Sequence, residues 1–301
     1  MNRKQKIRQV AIKSAGDRVF DVVNVCVMVL MFVIFLYPFW DTLLLSLMDT
    51  AHATKHGLRI VPQIPAVFDS YKKIFSQQQF LNAIKNSVIR TVIGTILTVL
   101  FTMVGGFVLA KKSLPGRRII TFFILFTMFF SGGLIPSYLL MKGLNLLGSR
   151  WALILPGLTS AWYLIIARNF ISTIPDSLEE AAIIDGAGVL TILFKVIFPL
   201  SKPIISVIAL WSAIGHWNAW FDAMIYTPSK DQLVLQLLLR RILVESDQTL
   251  MERSLKVSTA ATTPNTIKAA TVIVSVIPIA CLYPFFQQYF VKGINVGAVK
   301  G

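Results

Sequence analysis

Six stretches of mostly apolar residues, each about twenty residues or longer, dominate this chain of 301 residues. A run of that length matches the hydrocarbon thickness of a bilayer, and a chain carrying several of them has to place them where water is absent. They run approximately from Val19 to Leu47, Val88 to Ala110, Ile119 to Met141, Trp151 to Ile171, Pro199 to Tyr226 and Ala270 to Val291. Only 14% of the residues are charged, against about a quarter in a soluble globular protein, so the runs cannot be hidden in a wetted core. The expected fold is an all-α membrane protein of six transmembrane helices, in one domain over residues 19–291. A basic tail (1–18) precedes it and a short tail (292–301) follows it. The first run is too long for a cleaved signal and no small-residue cleavage site follows it, so it reads as a retained anchor.

The formal charge of +15 would point to nucleic acid in a soluble protein. Here the basic residues sit beside short connections, the pattern of cytoplasmic loops, so lipid and not nucleic acid is the partner it implies. Arg3, Lys4, Lys6, Arg8, Lys13 and Arg18 fill the N-terminal tail. Lys111, Lys112, Arg117 and Arg118 fill the link between the second and third runs, with no acid. Both are expected in the cytoplasm. Six spans then return the C-terminus there, together with the segment between spans four and five. The outer side receives residues 48–87, 142–150 and 227–268. Counted from Met48 to Arg90 and over the other two outer loops, fourteen bases face six acids, a net of +8. Such a face attracts an anionic solute or an acidic docking partner, and anchoring to lipid headgroups leaves the same pattern.

Chemistry that would power transport is absent. Gly143, four residues, then Gly148-Ser149-Arg150 lacks the lysine of a phosphate-binding loop. No HExxH and no Gly-x-Ser-x-Gly occurs, and no catalytic residue is assigned. His52, His56 and His216 are too scattered for a metal site without a helper carboxylate, and Cys26 and Cys281 both lie inside apolar runs.

Between spans four and five, the segment 174–203 holds the most specific pattern. Ser177, with Glu180 three residues on, predicts a capping box, and Glu179 and Glu180 suit the positive end of a helix dipole. Gly186 and Gly188 stop the helix after about nine residues, a length that needs something to dock against. Ala181 and Ala182 leave its face nearly flat. An interfacial connector would be built in the same way.

On span five, Trp211, His216, Trp217, Asn218, Trp220 and Asp222 place aromatic rings beside amide and acid groups, as a sugar path requires. Trp217, Trp220 and Tyr226 also fit an aromatic belt at the outer interface. Asp41, near the end of span one, reads as structural.

The run Glu180-Ala181-Ala182, three residues, Gly186, then nine residues to Val196-Ile197-Phe198-Pro199 resembles the EAA loop of importer-type ABC permeases. Their consensus has Ile and Leu where this chain has Val196 and Phe198, which keeps the apolar character. The string from Leu178 to Ala187, with Pro199-Leu200-Ser201-Lys202-Pro203, is similar to the carbohydrate-uptake permeases, as is the tail Gly297-Ala298-Val299-Lys300-Gly301. Gly132-Gly133-Leu134-Ile135-Pro136 looks most like the branch serving complex oligosaccharides, including pectin- and alginate-derived ones.

The resemblance implies a non-catalytic subunit of the bacterial cytoplasmic membrane that imports an oligosaccharide. Its implied partners are a second, related permease, two ATPase subunits that bind ATP and Mg, and an extracytoplasmic solute-binding protein. By the same resemblance Glu179, Glu180, Ala181, Ala182, Asp185, Gly186, Gly188 and Pro199 form the ATPase-coupling segment. Gly297, Val299, Lys300 and Gly301 reach the ATPase. The rival class is a secondary transporter or stand-alone channel for a polar solute, which has no need of a cytoplasmic docking helix.

Overall fold

The computed structural model describes residues 15–55, 57–227, 229–244 and 262–298. Every regular element among them is helical. Three helices are long and apolar enough to cross a membrane unbroken: Gly16–Ser46, Gln78–Ala110 and Pro264–Leu282. The other three apolar runs are not single helices. Each is a bent pair, turning by 115° between Arg117–Phe129 and Leu134–Gly143, by 48° between Arg150–Gly157 and Ala161–Ile171, and by 82° between Val189–Leu200 and Lys202–Asn218. Hydropathy reports how apolar a run is and says nothing of its straightness. The bends fall where glycine or proline interrupts the hydrogen-bond ladder: Gly132-Gly133, Pro156-Gly157 and Pro199 to Pro203.

In chain order, α1 (Ala15–Ser46) is followed by the short α2 (Thr50–Ala53) and α3 (Asp69–Phe75). Next come α4 (Gln78–Ala110), α5 (Arg117–Phe129), α6 (Leu134–Gly143), α7 (Ala161–Ile171) and α8 (Asp176–Ile184). Then follow α9 (Val189–Thr191), a π-helical turn at Ile192–Ile197, α10 (Phe198–Leu200) and α11 (Lys202–Asn218). The chain closes with α12 (Phe221–Tyr226), α13 (Leu235–Val244) and α14 (Pro264–Ala298).

The bundle is organised around α4, which packs along both α11 and α7. α1 lies against α14, while most of its apolar side chains stay exposed, as a lipid-facing helix requires. The sequence placed the start of span two at Val88; α4 begins ten residues earlier, at Gln78. Its first turns are polar because they hold another segment. Asn86 Nδ2 donates to the carbonyls of Asp231 (2.8 Å) and Leu233 (3.1 Å), and Ser87 Oγ accepts from the Leu235 amide at 2.8 Å. The outer loop expected at 227–268 is thus partly core: Leu233, Val234, Leu235 and Leu237 are buried. The last helix likewise starts at Pro264, ahead of the expected Ala270.

Two ends result. At one lie the link 111–116, α8 and the start of α11. At the other lie α2, α3, residues 143–150 and α12–α13, tied by the Ser70–Thr266 hydroxyl bond (2.9 Å) and by Gly148 N donating to Tyr226 O (2.8 Å).

Candidate functional site

At the first end α8 is bounded by backbone chemistry more than by side-chain caps. Pro175, at φ −59° and ψ 130°, is its N-cap, and no side chain caps it. The expected capping box does not form: Ser177 is already the second helical residue, so Glu180 has no cap to return to. The fixed φ of Pro175 starts the helix two residues earlier than the Ser177 reading required. At the far end Asp185 is the C-cap and Gly186 follows with φ +80°. Gly186 N donates to Ile183 O and Ala187 N to Ala182 O, both at 2.9 Å. This pair of bonds is the Schellman arrangement, and only glycine enters its left-handed position without strain. Gly188 has an ordinary φ of −73° and opens α9; Pro199 lies exposed in α10.

The acids of α8 divide between two tasks. Asp176 accepts from Lys112 Nζ at 3.1 Å, and Glu179 is paired with Lys111 Nζ. Burial pulls the Lys111 ammonium below the ordinary lysine range, opposed by the charge of Asp176. Glu180, Ala181 and Asp185 are exposed, and Glu180 joins neither ion pair. Ala182 turns inward against the cluster built on Phe107, Ile171 and Ile197. Ile183 and Ile184 are 57% and 85% exposed, so this end of the protein presents an acid, a flat alanine face and two isoleucines to whatever lies beyond it.

The span-five residues separate into three groups. Trp211 is exposed and stacked on Tyr163, centroids 6.1 Å apart, and Asn218 is exposed at the end of α11. His216 and Trp217 are buried. The His216 ring occupies the notch left by Gly94 on α4: a Cβ there would lie 2.5 Å from His216 Nε2. Trp217 Nε1 donates to the Ser275 carbonyl at 2.9 Å, fixing α11 to α14. Trp220 is half-buried, with the Arg240 guanidinium 3.6 Å from its ring centroid. Asp222 takes both ends of the Arg90 guanidinium, with Nη1 to Oδ1 at 3.1 Å, while Nη1 also reaches the Ala219 carbonyl at 3.3 Å.

Arg90 is the candidate-site residue that the sequence did not single out, its place being among the bases of the loops expected outside. It is buried on α4. The signal was present, since Ser87, Thr91, Gly94, Thr98 and Thr102 recur at helical spacing and are buried with it. Other bases of the loops expected outside are paired too: Arg59 with Asp41 at 3.2 Å and Lys72 with Asp69 at 3.2 Å. Asp41 and Asp222 belong to the expected spans, so the unpaired positive surplus of the loops expected outside is smaller than the loop tally implies. His52 bonds Asp49, His56 lies outside the described residues, and among those described no group of three His, Cys, Asp or Glu could hold a metal. Gly297 closes α14 with Ala298, while Val299, Lys300 and Gly301 lie outside the described residues.

Comparison with known proteins draws these features together. Protein LplC of Bacillus subtilis (strain 168) is 37% identical over 286 residues, covering 95% of this chain and 96% of that protein. The polygalacturonan/rhamnogalacturonan transport system permease protein YtcP of the same organism is 36% identical over 285 residues, covering 95% of this chain and 99% of its own. A chain from the crystal structure of a bacterial ABC transporter involved in import of the acidic polysaccharide alginate superposes with a TM-score of 0.85 at 32% identity. That match covers 92% of this chain and 99% of the other. Residues 103–296 match the profile of the binding-protein-dependent transport system inner membrane component, and the chain belongs to that family.

Proposed function

We propose that this chain is one permease subunit of an ABC importer for an anionic oligosaccharide in the bacterial cytoplasmic membrane. It works beside a second permease, two ATPase subunits and an extracytoplasmic binding protein. One observation carries the reading: α8 is a short helix with no buried residue, closed by a glycine turn and presenting Glu180, Ala181, Ile183 and Ile184 outward. A nine-residue helix gains little stability alone, so such a face calls for a partner. The partner is the ATPase, with Glu180 complementary to a basic group in its cleft. The end carrying α8 and Lys111–Arg118 is then cytoplasmic, in accord with its bases. The acidic character of the substrate is supported by two relatives, named for polygalacturonan/rhamnogalacturonan and for alginate.

Two substitutions test the docking. Glu180→Lys reverses the exposed charge; Gly186→Val places a β-branched residue at φ +80°, where open space surrounds it but the backbone is strained. Each is expected to abolish uptake and to reduce co-purification of the ATPase while the permease still inserts. Normal import by complexes carrying both changes would refute the reading.

A further inference from the structure

α8 has no buried residue, and of its apolar side chains only Ala182 packs against the neighbouring cluster, a single point that does not set a direction. Along the chain it is closed by the Gly186 turn and followed by α9, the π-helical turn and an 82° break before α11, so it is not continuous with a spanning helix. Beside the Ala182 contact, the end of α4 and the link after it reach α8 with a pair of lysines. Asp176 and Glu179 stand at the first and fourth positions of α8, on one face, and Lys112 and Lys111 meet them there. Attachment at two points along a helix fixes its orientation as well as its place.

The two pairs are unequal. The Lys112 and Asp176 side chains are 82% and 73% exposed, where an ion pair is worth little. Those of Lys111 and Glu179 are 30% and 27% exposed, and solvent screens them less. Lys111 is itself held. Its ammonium lies 4.2 Å from the centroid of the Phe107 ring, and the link beyond it is folded back by Arg117 Nε donating to the Leu109 carbonyl at 2.9 Å. Glu180, one residue on from Glu179, is left outside this arrangement.

We infer that Lys111 is a positioning residue: through Glu179 it sets the angle at which α8 is presented to the ATPase, and it ties any displacement of α8 to the inner end of α4. This rests on the reading of α8 as the docking helix.

The test uses the assembled importer in lipid nanodiscs, with Cys26 and Cys281 replaced by serine and spin labels at Ser113→Cys and Ile184→Cys. The distance distribution between the labels reports the angle of α8. Retention of the ATPase is measured on unlabelled protein. Lys111→Glu and Glu179→Lys are each expected to broaden the distribution and to cut retention at least roughly fivefold, the lower end of ordinary coupling effects. The double exchange Lys111→Glu/Glu179→Lys and the conservative Lys111→Arg should restore both. Lys111→Gln removes the charge without reversing it and covers the case in which reversal prevents insertion. A double exchange no better than either single change, or single changes that leave the distribution as in the wild type, would overturn the proposal. Glu180→Lys should lower retention and leave the distribution unchanged. If it keeps the ATPase in full, the docking reading falls, while the positioning role is still decided by the distances.

Discussion

Arg90 shows how one side chain can be read in two opposite ways. As a letter it is a base near the boundary of an apolar run; in the fold it is a buried cation closed against Asp222 and the Ala219 carbonyl. Arg90→Ala strands Asp222 with its charge, and the loss of one member of a buried pair costs several kcal/mol. Because Asp222 keeps 30% of its side chain exposed, the low end applies, about 3 kcal/mol, seen as a fall in Tm in detergent. Arg90→Ala/Asp222→Ala should regain part of that loss, and a double variant less stable than Arg90→Ala would contradict the pairing. Gly94→Ala is a sharper probe of His216, whose ring must move to admit a methyl group. An overpacking cost of about 1–3 kcal/mol is expected, relieved when His216 is also made smaller.

Elements were legible in the sequence to the degree that composition determined them. α8 was located from its acids and glycines, and Gly186 marked its end, where the structure builds the Schellman turn. Its N-terminus was not, because Ser177 offers the letters of a capping box while Pro175 settles where the helix begins. The three bends were marked only by glycine and proline, which hydropathy cannot weigh, and the early start of α4 was hidden by residues whose polarity serves the segment around Asp231 to Leu235. The start of α2 offers an independent check. The Asp49 carboxyl is held below its ordinary range, first by the His52 amide and then by the His52 and Gln63 side chains. A lowered carboxylate pKa contributes stability that is complete above the unfolded value of 3.8 and lost as pH falls through the folded one. Hydrogen exchange at the His52 amide, corrected for its intrinsic rate, should therefore lose protection in strong acid and keep it at neutrality.

For the whole molecule, the apolar runs and the basic link were enough to indicate a helical membrane protein and to group its ends, whereas which span-five side chains face an open surface depended on packing between α4, α11 and α14. The proposed substrate is tested at this scale. Reconstituted vesicles bearing the complete importer should take up an uronate oligosaccharide in preference to a neutral one of equal length, with a preference that weakens as salt is added. Preference for the neutral sugar would refute the acidic assignment. Deleting residues 297–301 tests the proposed tail contact: ATP hydrolysis by the complex should fall, and an unchanged rate would leave the tail as a frayed terminus.

α4 is unbroken over 33 residues and contains no proline. At 1.5 Å per residue it measures roughly 50 Å, with Lys111 at one extremity and Arg90 roughly 6 Å from its middle. A rod of that length tilting by about 10° about its middle carries its two ends roughly 4 Å in opposite directions. Arg90, with Asp222 paired to it, lies close to the pivot of such a tilt, whereas Lys111, paired with Glu179, lies at its travelling end. One stiff helix is enough to turn a small shift beside Asp222 into a roughly fourfold larger travel at Glu179, without a relay of intervening side chains.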